Sequence, residues 1–180
     1  MKLFAANTAA ILISVAAALC PPPDGTETKL YIKQCDNTEK SSQFRIFNLT
    51  ITDNNGVTTY PLTIKKPMVV HVDLQNTGST VHKISSDMTL YVYGKLLWSE
   101  CSWINVPTFG HLNNISECQN CPIRPGAFKD LRIIYDLSRY QCLQTFLISG
   151  LPYAMDIKVF DGTQRSKQLA CIRLEAIITK

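Results

Sequence analysis

Residues 153–178 read YAMDIKVFDGTQRSKQLACIRLEAII, and the two halves of this stretch decide the fold class. Side chains of a strand alternate between its two faces. In the first half Met155, Ile157 and Val159 point one way, and Asp156 and Lys158 the other. In the second half Ile172, Leu174, Ala176 and Ile178 share a face opposite Cys171, Arg173 and Glu175. Each half is therefore a strand with one buried side. Asp161-Gly162 between them is a turn signal that makes the two an antiparallel pair, on a connection to Gln168 longer than a tight hairpin.

Further short runs rich in Val, Ile, Tyr, Phe and Thr recur at 44–51, 68–74, 88–97, 128–135 and 143–149. Turn residues separate them: Asp53-Asn54-Asn55-Gly56, Asn76-Thr77-Gly78, and residues 122–126 and 150–152. Seven strands at this spacing, with no helix-length apolar periodicity, predict an all-β sandwich. A glycan on Asn48 must face solvent, so alternation sends Phe47, Leu49 and Ile51 inward.

The chain has 180 residues, 46% apolar and 18% charged, with a formal net charge of +4. That supports one domain with a real core and excludes a disordered, collagenous or low-complexity chain. The basic residues are spread thinly among acidic ones, which leaves no nucleic-acid footprint. Residues 1–18 have the basic start, apolar middle and small final residues of a secretory signal peptide, cleaved after residue 18 or 20. Asn7 and Thr8 interrupt the apolar run, which falls short of a membrane span. Residues 19–180 are then expected to form a single domain.

Secretion makes Cys35, Cys101, Cys118, Cys121, Cys142 and Cys171 an even disulfide set, provided Cys20 leaves or stays unpaired. Six cysteines permit fifteen pairings, and spacing does not choose among them. The sequons Asn48-Leu49-Thr50 and Asn114-Ile115-Ser116 fit glycosylation in the same compartment.

Residues 98–112, WSECSWINVPTFGHL, break the strand pattern. Large apolar groups on a long loop mark either an interaction surface or a loop folded back into the core. No catalytic constellation stands beside it. The chain lacks G-x-S-x-G, H-E-x-x-H, Walker and dinucleotide motifs. His71, His82 and His111 lack ligand spacing, and His71, beside Asp73, is read as facing solvent. Cys118-Gln119-Asn120-Cys121 has no second half for a zinc site and no helix start for a redox pair. Its cysteines read as structural half-cystines, bonded to each other or to distant partners. Asp53-Asn54-Asn55-Gly56 lacks the later Glu of a calcium loop and reads as a hairpin turn. No enzyme, metal or cofactor is expected.

Residues 120–130, NCPIRPGAFKD, and 168–180, QLACIRLEAIITK, follow Cys35 as the first mature cysteine. In this order they resemble the ML lipid-recognition family of secreted, immunoglobulin-like two-sheet β-sandwiches, over nearly the whole mature chain. The tail is similar to the ganglioside-activator branch, whose members carry more cysteines and offer no clear counterpart to Cys142. The resemblance implies a Cys35–Cys171 bond between first and last strands, contributing roughly 4–5 kcal/mol in the chain-entropy model. It also implies a bond from Cys121 within the loop region, to Cys101 first and Cys118 second; Cys118–Cys142 follows from the first choice.

The family further implies an apolar cavity between the sheets. Sheets that splay at one end turn their inward side chains into the wall of a dry cavity that accepts hydrocarbon. Here Leu74, Leu90, Val92, Ile133, Met155, Ile157, Val159, Ile172 and Leu174 would line it. Trp98, Trp103, Phe109 and Leu112 would form a membrane-contacting loop at its mouth. The implied function is non-enzymatic: a secreted or lysosomal protein that extracts, transfers or presents a glycolipid, phospholipid or sterol at a transient membrane surface, with a glycosidase as recipient. The other reading, from a different class, is an extracellular sandwich with a filled core whose aromatic loop binds a protein receptor.

Overall fold

The computed structural model describes residues 20–35, 42–96, 99–115 and 117–180, with the backbone alone of Glu117 and Cys142. The expected signal peptide, 1–18, lies outside them.

The stretch 153–178 forms the centre of one sheet. Strands β9 (Leu151–Asp161) and β10 (Gln168–Thr179) pair antiparallel, with Ile157 opposite Ile172 and Met155 opposite Leu174. Their connection is held by Asp161, whose carboxylate accepts from the Thr163 amide at 2.9 Å and hydroxyl at 2.6 Å. Gly162 donates to the Lys83 carbonyl at 2.8 Å, and a Cβ there would stand 2.8 Å from Lys83 Cγ. The turn needs glycine because another chain segment lies against it.

Ahead of this pair come β1 (Tyr31–Gln34), β2 (Phe44–Thr52), β3 (Leu62–Thr63), β4 (Met68–Asn76), β5 (Ile84–Gly94), β6 (Ser102–Val106), β7 (Glu117–Cys118) and β8 (Gly126–Tyr135). The first sheet runs β1-β10-β9-β5-β6, with β3 added in parallel to the end of β10; the second runs β2-β4-β8-β7. The all-β two-sheet sandwich is therefore observed. Its core lies between the sheets: Val70, Val72, Leu131 and Ile133 from one, Met88, Leu90, Ile157 and Leu174 from the other, all at most 3% exposed.

Three expectations are corrected. Run 143–149 is not a strand; Gln141–Phe146 form helix α1. Leu143 and Leu147, four residues apart, are both buried, which is helical spacing. In β2 the register shifts between Ile46 and Asn48, and the bulge turns Phe47 outward to 67% exposure beside Asn48. Phe44 and Ile51 are buried and Ile46 and Leu49 half-buried, so Ile46 takes the inward place expected for Phe47. The aromatic stretch, finally, contains β6, paired with β5 from Gly94 opposite Ser102 to Leu90 opposite Val106.

Candidate functional site

All nine residues expected to line a cavity are buried between the sheets. Leu90, Val92, Met155, Ile157, Val159, Ile172 and Leu174 stand on the first sheet, and Leu74 and Ile133 on the second. On the second sheet Val70, Val72 and Leu131, outside the expected nine, are equally buried. Their alternation in β4 and β8 carried that signal. Three pockets formed by described residues hold about 360, 30 and 260 Å³, and none is lined by any of the nine.

One end of the sandwich differs from the rest. There β8 finishes, α1 crosses, and β9 begins. Leu137, Leu143 and Leu147 from this crossing are buried and close the gap between the sheets. The segment is pinned at both sides. Asp136 accepts from the Ser138 hydroxyl at 2.5 Å, the Ser138 amide at 3.2 Å and Arg139 Nε at 2.7 Å. These bonds, the Ser138 hydroxyl first and outweighing the effect of burial, hold the Asp136 carboxyl below its usual range. At the exit the Ile148 amide donates to the Tyr153 hydroxyl at 2.7 Å, and burial raises that phenol's pKa. The 360 Å³ pocket opens here, between Pro67, Ile115, Tyr135, Asp136 and Tyr140.

The same end carries exposed apolar side chains and bases. Val57 in the turn after β2 is 52% exposed and Leu96 after β5 is 50% exposed. Phe109 is 76% exposed at a backbone φ of 50°, its ring 6.5 Å from Phe146 of α1. Lys65 and Lys66 precede β4, Lys95 follows β5, Arg139 precedes α1 and Lys180 follows β10. Asp53, Glu100 and Asp136 provide opposing charge at this end.

The four expected mouth residues separate. Trp98 lies outside the described residues. Trp103 belongs to β6 and is half-buried; its ring lies 5.0 Å from Tyr93 and 5.1 Å from the Arg173 guanidinium. It caps the outer face of the first sheet. Leu112 is fully buried, and its carbonyl accepts from the Met88 amide at 2.9 Å, so it belongs to the core. Phe109 alone of the three described stands free at the surface.

The disulfides are Cys20–Cys101, Cys35–Cys171 and Cys118–Cys121. The bond between first and last strands is as the resemblance implied. Cys101–Cys121 is not formed: Cys101 takes Cys20, which spacing had set aside with the leader, and Cys121 takes its near neighbour Cys118. The expected Cys118–Cys142 bond falls with it. Cys142 sits in α1, its side chain outside the description. Three disulfides fit an oxidising compartment.

Two charged clusters occupy the outer faces. On the first sheet Arg173 bonds Asp156 at 2.9 Å and Glu175 at 2.7 Å, with Lys33 3.7 Å from Glu175. The Glu175 side chain is fully buried, and that burial raises its pKa against the pull of Arg173 and Lys33. On the second sheet His71 is half-buried. Its Nδ1 lies 2.6 Å from Asp130 and its Nε2 2.9 Å from the Thr52 hydroxyl. The carboxyl of Asp130 is held below its usual range by Arg132 first and His71 second. Asn48 and Asn114 are both exposed, and Ser116 of the second sequon lies outside the described residues. His82 and His111 are exposed, and among the described residues no cluster of His, Cys, Asp or Glu is arranged to hold a metal ion.

No family model and no curated protein sequence matches the chain. Solved structures do. The Niemann-Pick type C2 protein from Japanese carpenter ant is similar at a TM-score of 0.45 and 10% identity, covering 83% of this chain and 99% of that one. Chicken MD-1 complexed with lipid IVa gives 0.42 and 16%, covering 82% and 88%. The C-terminal domain of wzt gives 0.39 and 11%, covering 89% and 83%. The sandwich itself rests on the strand order and register above.

Proposed function

We propose that this is a secreted or lysosomal, non-enzymatic lipid carrier. It takes a glycolipid, phospholipid or sterol between its sheets and transfers or presents it, as ganglioside activators do, with a glycosidase as candidate recipient. The observation that carries this reading is the crossing segment at one end. Leu137, Leu143 and Leu147 are buried with the largely apolar inner faces of the two sheets, where an acyl chain would lie once the segment moved aside. A buried methylene contributes about 0.8 kcal/mol, so a chain of some sixteen carbons gains on the order of 13 kcal/mol relative to water. Leaving a bilayer costs a similar sum. The exchange is nearly balanced, which suits loading and unloading. Val57, Leu96 and Phe109, amid Lys65, Lys66, Lys95, Arg139 and Lys180, would meet the membrane at that end.

A second reading has its own observation: the nine inward residues line none of the three pockets described. A core without room for an acyl chain is what an extracellular module that binds a protein receptor through its surface needs. Native mass spectrometry of protein purified from a eukaryotic host separates the two. A co-purified lipid displaced by added phospholipid supports the carrier. Lipid-free protein that takes up no fluorescent acyl chain from vesicles eliminates it.

A further inference from the structure

The outer face of the second sheet carries a polar cleft that the carrier reading does not use. It holds about 260 Å³ and is lined by Asn48, Thr50, Thr52, Gly56, His71, Asp73 and Asp130. Its walls are set rather than loose. His71 is fixed between Asp130 and Thr52 as described above, and Arg132 Nε reaches the second oxygen of Asp130 at 2.8 Å. Asp130 takes a φ of 54° and donates its amide to Asp73 Oδ1 at 2.9 Å. A non-glycine residue in this region is strained, and the cost is carried here by a network that organises the cleft floor. Asn48 and Thr50 of the first sequon are part of the wall, and Asn48 pairs in register with Asp73.

Whatever is attached to Asn48 therefore begins at the edge of the cleft. We propose that Asn48 carries an N-glycan whose first N-acetylhexosamine seats in this cleft, over Thr50, His71 and Asp73, and so becomes part of the folded surface. The donor is a lipid-pyrophosphate oligosaccharide. Its C1–O bond to pyrophosphate breaks, a C1–N bond to the Asn48 side-chain nitrogen forms, that nitrogen loses one proton, and the lipid pyrophosphate leaves. The cleft offers a sugar what sugars bind: carboxylate oxygens to accept from its hydroxyls, threonine hydroxyls to donate, and the His71 ring to pack against. The proposal needs the glycosylating compartment of the preceding reading but not its lipid.

The test uses the full chain secreted from a eukaryotic host. Peptide mass mapping is expected to find Asn48 modified; an unmodified Asn48 overturns the proposal. Trimming with an endoglycosidase that leaves one sugar should keep the melting temperature of the intact glycoprotein, whereas Asn48→Gln should melt several degrees lower. Equal melting of all three forms overturns the seating. His71→Ala should keep the glycan but lose the difference between one sugar and none. A shift of the His71 ring proton resonances between the one-sugar form and Asn48→Gln, absent if the sugar points to solvent, checks the same contact without relying on stability.

Discussion

The hydroxyls of Ser86 and Tyr135 meet 2.9 Å apart in the interior, one from each sheet. Both residues are buried, and burial pushes the Tyr135 phenol far above its ordinary pKa. The bond is a polar stitch across a largely apolar seam. Tyr135→Phe leaves the Ser86 hydroxyl without this partner, which costs about 1–3 kcal/mol. For a chain of this size that lowers Tm by roughly 2–4 °C per kcal/mol. Ser86→Ala with Tyr135→Phe should recover part of the loss, because no hydroxyl is then left unpaired. Denaturant titration of the three variants checks this, and an additive double variant would count against it.

The Cys20–Cys101 bond places a requirement on processing. Cleavage after residue 20 would remove one partner, so the mature chain is expected to begin at Leu19, which intact mass determines directly. Cys35–Cys171, closing a separation of 136 residues, should matter more to folding. Replacing both with serine is expected to cost about 2–5 kcal/mol, read from the denaturation midpoint.

Much of this architecture was legible where alternation is clean. Strands β4, β5, β8, β9 and β10 announce themselves because one face is apolar and the other is not. Phe47 was misplaced because a bulge breaks the period of two, and no glycine or proline in FRIFNLTIT marks it. Helix α1 escaped because Leu143 inside a six-residue helix and Leu147 just past its end look like part of a short apolar run. Leu112 and Phe109 lie three residues apart in one irregular segment, and only tertiary contacts decide that one enters the core while the other stands outside. Cys20 was lost to the leader because a cleavage site tolerates either side of it.

Two carboxyls give opposite pH signatures. Glu175 has its pKa raised by burial, so above the ordinary glutamate value of 4.5 the native state holds the proton more tightly than the unfolded chain. Stability then falls as pH rises through that window. Glu175→Gln removes the fall, and its stability relative to wild type should rise from pH 4.5 toward neutrality. Asp136, lowered from 3.8, contributes stability that is present above that value and lost as pH drops through the folded pKa. The deficit of Asp136→Asn should therefore shrink in stronger acid. Urea titrations across pH 2.5–7.5 would reveal both slopes, and parallel curves for variant and wild type would refute the assignment.

Phe109 and Leu112 provide the sharpest contrast for the membrane contact. Phe109 is 76% exposed and Leu112 is fully buried. Burying a phenylalanine side chain is worth about 1.5–3 kcal/mol, and each 1.4 kcal/mol is about tenfold in affinity. Phe109→Ser should therefore leave the melting temperature unchanged and weaken binding to anionic vesicles by about tenfold or more. Leu112→Ala should do the reverse, lowering stability by about 2–5 kcal/mol with little change in vesicle affinity of the protein that remains folded. Trp103→Ser belongs with the second group, since its ring packs on Tyr93 and Arg173. Vesicle sedimentation and thermal melts on the same preparations decide it. Full vesicle binding by Phe109→Ser would remove this end of the sandwich as the membrane contact.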